Sequence, residues 1–278
     1  MESILRTLPD RLRGVLQGRD TTNIEEIRLR NGQNPTVLRD GRESQIASAP
    51  ITMDDIQYVL SAASGASLYA VNETLCNGYI TIPGGHRIGI CGQAVIERGL
   101  VRTIRHISSI SIRVARQQQG IGMVLQKSTL ILGPPGCGKT TLLRECIRVL
   151  SDEMGQRVAL VDERCEIAAC HNGLPQFSLG KMTDVMSGCD KKTGIMMLLK
   201  TMNPQWIAVD EITDVEDIAA ILQACYCGVG LLATAHAKDI ADLEKRPVYR
   251  ELLQCSVFED AIILRGDHSY TMQRLVQK

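Results

Sequence analysis

Residues 128–141 read Ser128-Thr129-Leu130-Ile131-Leu132-Gly133-Pro134-Pro135-Gly136-Cys137-Gly138-Lys139-Thr140-Thr141. An apolar, β-prone run enters a glycine-rich turn and leaves it as Thr141-Leu142-Leu143-Arg144-Glu145-Cys146, a helical pattern. Gly133, Gly138, Lys139 and Thr140 fit G-x-x-x-x-G-K-[ST], the phosphate-binding loop. Each residue type has a physical reason. The glycines let backbone N–H groups close around phosphate oxygens, Lys139 reaches the β- and γ-phosphates, and the Thr140 hydroxyl is a Mg²⁺ ligand. Residues 133–141, which include Pro134, Pro135, Gly136, Cys137 and Thr141, are therefore the expected cradle for a nucleoside triphosphate, ATP with Mg²⁺.

The acids that such a loop needs stand at the ends of two further apolar runs. Trp206-Ile207-Ala208-Val209 is followed by Asp210-Glu211, and Val158-Ala159-Leu160-Val161 by Asp162-Glu163-Arg164. Asp210 is placed to hold the Mg²⁺ hydration shell and Glu211 to polarise the water that attacks the γ-phosphate, an arrangement that favours hydrolysis over transfer to a bound hydroxyl. Spacing leaves open which pair, Asp210-Glu211 or Asp162-Glu163, is the main Mg²⁺ site. A third run, Gly230-Leu231-Leu232-Ala233-Thr234, ends in Ala235-His236, where a polar side chain can sense the γ-phosphate.

Around this centre the pattern alternates strand and helix: strands near 128–132, 157–161, 206–210 and 229–234, helices near 139–150, 193–202 and 214–227. Near-continuous apolar strands separated by helices predict an α/β domain with a mainly parallel sheet covered on both faces. Upstream, residues 1–18 read as one amphipathic helix. Ile24–Leu29 and Thr36–Leu38 read as short strands, Met53–Ala63 as a helix capped by Thr52, and Tyr79–Ile82 with Arg87–Ala94 as a strand-turn-strand unit; Ile107–Val114 alternates as a further strand. The division predicted is an α+β domain over residues 1–119 and a phosphate-loop domain over 120–278, with a hinge at Gln117-Gln118-Gln119-Gly120.

Composition bounds the rest. The 278 residues, 44% hydrophobic and 22% charged, suit two globular domains at about 150 residues each. A formal net charge of zero and only 3% aromatics weigh against nucleic-acid binding by charge or by base stacking. Arginine is distributed unevenly: residues 1–118 hold 14 Arg, 11 Asp or Glu and no Lys. Arg98, Arg102, Arg105, Arg113 and Arg116 form a cluster that reads either as a solvated face or as arginines of which one or more reach a neighbouring subunit's nucleotide, to which their guanidinium groups suit bidentate contact. The ten cysteines contain no C-x-x-C pair and read as small buried hydrophobes in a reducing compartment, with Cys137 the one placed to make the loop sensitive to thiol chemistry. No run of about 18 apolar residues occurs, and no signal peptide opens the chain, so a soluble cytoplasmic protein is expected.

The order of loop, second acidic strand, Met202-Asn203-Pro204-Gln205-Trp206-Ile207-Ala208-Val209-Asp210-Glu211 and Leu231-Leu232-Ala233-Thr234-Ala235-His236 resembles the hexameric secretion ATPases of the type II and type IV pilus class, a superfamily with a RecA-like core. Within it, Glu25-Glu26-Ile27-Arg28-Leu29-Arg30 and Gly78-Tyr79-Ile80-Thr81-Ile82-Pro83-Gly84-Gly85-His86-Arg87-Ile88-Gly89 are similar to the stage III sporulation protein AA family, over nearly the whole chain. By that resemblance Asp162, Glu163 and Glu166 match the family's acidic box, Glu211 its Walker B glutamate and His236 its histidine box. Arg105 and Arg113 match arginines that contact nucleotide from the N-terminal domain. There are departures: Asp210 stands where the secretion ATPases usually carry Gly, Thr213 where they carry Arg, and Ala237-Lys238-Asp239 after His236 also differ from their usual pattern. The extra acid moves the site toward an ordinary Walker B arrangement and leaves the division of labour between Glu163 and Glu211 open.

The resemblance implies a hexameric ATPase of the mother-cell cytoplasm in endospore-forming bacteria. It would be peripherally associated with the forespore-facing membrane, through membrane proteins of the stage III channel complex, and no nucleic-acid partner is expected. The motifs alone leave two other readings, a small-molecule kinase and a nucleic-acid-stimulated ATPase, which acceptor phosphorylation and DNA stimulation respectively would reveal.

Overall fold

The computed structural model describes residues 1–65 and 78–275. Cys76 lies outside them, and the other nine cysteines are free thiols. The chain forms two compact units, Met1–Arg116 and Gln117–Lys278. The segment 117–120, expected as a hinge, is tied into the second unit: the Gln117 side chain exchanges hydrogen bonds with the backbone of Ser178, and the Gly120 N–H donates to Glu145.

In the first unit the expected single N-terminal helix is two, α1 (Glu2–Thr7) and α2 (Asp10–Gln17). Pro9 is the cause. Its ring excludes the helical conformation at the preceding residue, and Leu8 is accordingly extended at φ −91°, ψ 144°. The strands β1 (Ile24–Arg30), β2 (Thr36–Arg39) and β3 (Arg42–Gln45) precede α3 (Met53–Ala63), whose capping box joins Thr52 and Asp55. Then follow β4 (Tyr79–Ile82), β5 (His86–Glu97) and β6 (Leu100–Arg113). All neighbours in the sheet order β3-β2-β1-β6-β5-β4 are antiparallel. Alternate residues Ile27, Leu29, Ile88, Ile110 and Ile112 share one core with Ile4, Leu12 and Ile56 of the helices and with Leu8 between α1 and α2. The polar partners on the opposite sheet face include Glu26, Arg28 and Arg113. The Pro83-Gly84-Gly85-His86 turn serves this packing: His86 is buried, and its Nδ1 accepts the Ala115 N–H at 2.9 Å.

The second unit is built on a seven-stranded sheet. Its elements in chain order are β7 (Thr129–Leu132), α4 (Lys139–Arg148), β8 (Val158–Asp162), β9 (Thr183–Ser187), α5 (Lys191–Thr201), β10 (Trp206–Val209), α6 (Val215–Tyr226) and β11 (Gly230–Ala235), then α7 (Ile240–Glu244), α8 (Pro247–Gln254), β12 (Asp260–Leu264) and β13 (Tyr270–Arg274). Strand order is β13-β12-β7-β11-β10-β8-β9, parallel throughout except for the antiparallel edge pair β12/β13. Successive strand residues point to opposite faces. Leu130, Leu132, Val161, Ile207 and Val209 therefore pack with Ile195, Leu198, Ile218 and Ile221 of α5 and α6. Ile131, Leu160, Ala208 and Leu232 pack with Leu143, Cys146 and Ile147 of α4. Both faces are covered, which is why these strands carry no polar alternation. The carboxyl ends of β7, β8, β10 and β11 thus come to one edge, the position where open parallel sheets bind ligands.

Candidate nucleotide-binding site

At that edge lies a cavity of about 460 Å³, lined by Pro135, Gly136, Gly138, Lys139, Thr140 and Thr141 from the loop and α4, by Glu163, Arg164 and Glu166 after β8, and by Lys191, Asp210, Glu211, Thr213, Thr234 and His236. The loop is shaped by its glycines at two points. Gly138 caps α4 in the left-handed region at φ 96°, and a Cβ at Gly133 would stand 2.5 Å from the Cys137 Sγ and 3.0 Å from the Leu264 carbonyl oxygen. Cys137 itself is buried under the loop, and Pro134 contributes a carbonyl rather than a wall of the cavity.

Lys139 is buried, and its ammonium is folded back onto its own loop. It donates to the carbonyl oxygens of Gly133 at 3.0 Å and Pro134 at 2.9 Å, and its Nζ lies 2.8 Å from His236 Nδ1. Burial lowers the Lys139 pKa from its ordinary 10.5, opposed by the charges of Cys137, Glu211 and Asp210. An ammonium has only protons to offer, so His236 Nδ1 accepts and the ring proton resides on Nε2, which faces Glu211 Oε2 at 3.0 Å. Asp210 Oδ1 accepts from the buried Thr234 hydroxyl at 3.0 Å. Thr140, Asp210 and Glu211 thus offer hard oxygen donors in the loop's own cavity. That donor set suits Mg²⁺, which keeps waters and takes its remaining ligands from substrate phosphates. Among the described residues no group of three or more His, Cys, Asp or Glu is arranged as a closed metal cage.

The model of the family "Sporulation stage III, protein AA" matches residues 1–274. The chain belongs to that family. It is 38% identical over 274 residues to the Stage III sporulation protein AA of Bacillus subtilis, covering 93% of this chain and 89% of that protein. In fold it is similar to the pilus retraction motor PilT with bound ADP, at TM-score 0.65 and 16% identity over 90% of this chain and 79% of that one. The ATPase DotB of Legionella pneumophila is similar at TM-score 0.60 and 16% identity, over 96% and 80% of the respective chains. No helix among the described residues is long and apolar enough to cross a membrane.

Against the family's expected site residues, the structure distributes the two acids after β8 differently. Asp162, expected among the metal ligands, stands outside the cavity lining: it is fully buried, and its two oxygens accept the backbone N–H groups of Glu166, Ile167 and Ala168. Its carboxylate therefore anchors the turn after β8. Burial raises its pKa, against those three hydrogen bonds. Glu163, the next residue, lines the cavity and pairs with Lys191. Arg105 and Arg113 lie on β6 in the other unit, where Arg113 Nε stands 3.6 Å from Glu26 Oε1.

Two further residues carry no motif in the sequence. Arg144 of α4 is buried, donates to the carbonyls of Ile167 at 2.6 Å and Glu166 at 2.9 Å, and stacks on Phe177 at 4.4 Å. It ties the phosphate-loop helix to the turn that Asp162 anchors. Lys191 opens α5 and lines the cavity.

Proposed function

We propose that the chain is a Mg²⁺-dependent ATP hydrolase that works as a homo-oligomeric motor, a hexamer by analogy with the secretion ATPases. The observation that carries this reading is the meeting of Lys139 and Thr140 with Asp210, Glu211 and His236 in one cavity. Lys139 leaves the Gly133 and Pro134 carbonyls for the β- and γ-phosphates, and backbone N–H groups of the loop hold the phosphate oxygens. Thr140 and Asp210 would hold Mg²⁺, which when bound would supply neutralisation of the charge on the phosphate oxygens. Glu211 accepts a proton from the attacking water as its oxygen bonds the γ-phosphorus; the bond to the bridging oxygen breaks, and ADP and phosphate leave. Arg105 and Arg113 supply cationic charge to the nucleotide of a neighbouring subunit. Family membership supports a place in sporulation, in the mother-cell cytoplasm at the base of the channel complex facing the forespore, with membrane proteins of that complex as partners.

Phosphate release from ATP by the purified protein tests the reading, beside Lys139→Ala and Glu211→Gln. The expected result is turnover in the wild type and loss of roughly 10²-fold or more in each variant. Equal turnover in all three proteins rules the site out.

A further inference from the structure

Lys191 is a lysine in an unusual position. Its side chain is 7% exposed, whereas lysine is almost never buried without full pairing. Among the described residues its ammonium makes one hydrogen bond, to Glu163, whose side chain is 40% exposed and belongs to the cavity wall. The buried carboxylate beside it, Asp217 on α6, is 4.0 Å away, beyond hydrogen-bond reach, and accepts the backbone N–H of Asp214 in the helix cap instead. A lysine that served only to join α5 to α6 would direct its protons at Asp217. The adjacent Lys192 does make such a seam contact, donating to Glu216 at 2.9 Å on the surface. Lys191 instead holds a desolvated positive charge with two protons uncommitted, in the wall of the cavity that contains the phosphate loop.

We propose that Lys191 is a second phosphate-contacting lysine, which exchanges Glu163 for the terminal phosphate of ATP and so makes the site bind ATP in preference to ADP. The inference rests on the nucleotide reading of the cavity and extends it. A triphosphate extends a doubly charged terminal group one phosphate beyond the β-position that the loop holds, where it competes with one carboxylate for the buried ammonium in the cavity wall; the terminal group of a diphosphate is equally charged but stays in the loop.

Equilibrium binding decides it without any need for turnover. A slowly hydrolysed ATP analogue and ADP, each with Mg²⁺, are titrated as competitors of a fluorescent nucleotide on the full chain. Lys191→Gln is expected to weaken the ATP analogue roughly tenfold, the value of one charge-assisted hydrogen bond, and ADP by less than about threefold. Lys191→Arg keeps the preference, and Lys192→Gln, outside the cavity, leaves both affinities at wild-type values. An unchanged ratio of the two affinities in Lys191→Gln overturns the proposal and makes Lys191 a packing residue. Should that variant fail to fold, Glu163→Gln tests the pair from its other side: the freed ammonium raises the preference for the ATP analogue, and no change in ratio overturns the proposal. Wild-type protein that binds neither nucleotide refutes the nucleotide reading and this inference together. If Lys139→Ala abolishes binding while Lys191→Gln leaves the ratio intact, this inference alone fails.

Discussion

His236 Nε2 stands 3.0 Å from Glu211 Oε2, and the same ring holds Lys139 through its other nitrogen at 2.8 Å. One imidazole therefore joins the loop lysine, assigned here to phosphate, to the glutamate assigned to the water. The lysine is turned onto its own loop, and the glutamate accepts a hydrogen bond from the ring N–H. On the proposed function, phosphate that draws Lys139 from Nδ1 would open this chain from one end, linking phosphate binding to the freedom of Glu211 by contact.

Because burial lowers the Lys139 pKa, its ammonium is lost at a lower pH than the ordinary 10.5. A neutral amine gives phosphate no charge, so ATP affinity begins to fall once pH rises through that lowered value, below the ordinary 10.5. Lys139→Arg, charged at every accessible pH, is expected to bind more weakly at neutral pH and to lack this alkaline limb. Titration of nucleotide binding across the alkaline range checks both statements; parallel profiles for the two proteins contradict them.

Asp162 gives a prediction that separates anchoring from metal binding. Asp162→Asn removes the charge that receives three backbone N–H groups and offers an N–H₂ where an acceptor is needed. The expected loss is roughly 2–4 kcal/mol of stability, from buried donors left without a partner. Read by thermal melting, this lowers the midpoint by several degrees, whereas the Mg²⁺ concentration for half-maximal turnover changes by no more than about twofold. A large rise in that concentration at unchanged stability would return Asp162 to the metal.

The first unit carries its own titration. Burial holds the His86 pKa down to about 4, helped by the positive N-terminus, against an ordinary value of 6.5. Between those values the unfolded chain binds the proton and the folded one does not, so stability is full above about 6.5, declines as pH falls toward 4, and declines no further below it on this account. His86→Gln keeps an acceptor for the Ala115 N–H without a titrating group. Thermal melts from about pH 7 down to about pH 4 are expected to show a shallower acid decline in this variant than in the wild type.

How much of the site is legible in the sequence follows from how each residue is signalled. The loop, Asp210-Glu211 and His236 are legible because each sits where an apolar strand ends in polar residues, a pattern contained in a few neighbouring positions. Asp162 and Glu163 are equally acidic at the same strand end, and only the backbone path after β8 sends one inward to the turn and the other to the cavity. Lys191 is hidden because no motif marks it and it precedes the helix expected near 193–202, while its partner Glu163 lies 28 residues away in sequence. Arg144 is hidden likewise, since a charge in an amphipathic helix is read as its solvent face. Pro9 marks the break between α1 and α2, although the apolar spacing across it reads as continuous. β9, β12 and β13 lie outside the strands expected from the apolar runs, and the last two close the sheet edge beside β7.

The arginines of β6 allow a test of whether subunits complete one another's sites. Arg105 is exposed on its strand, and Arg105→Ala is expected to reduce turnover by roughly 10³-fold if its charge reaches the transferring phosphate. Lys139→Ala is inactive for a different reason, at the loop. In a mixed oligomer, the loop of an Arg105→Ala subunit beside the intact arginine of a Lys139→Ala subunit makes one complete site. Mixing the two inactive proteins is therefore expected to restore turnover well above either alone, growing as the proteins exchange subunits. An arginine acting on its own subunit's nucleotide gives no such recovery, because every subunit in the mixture then lacks one of the two groups.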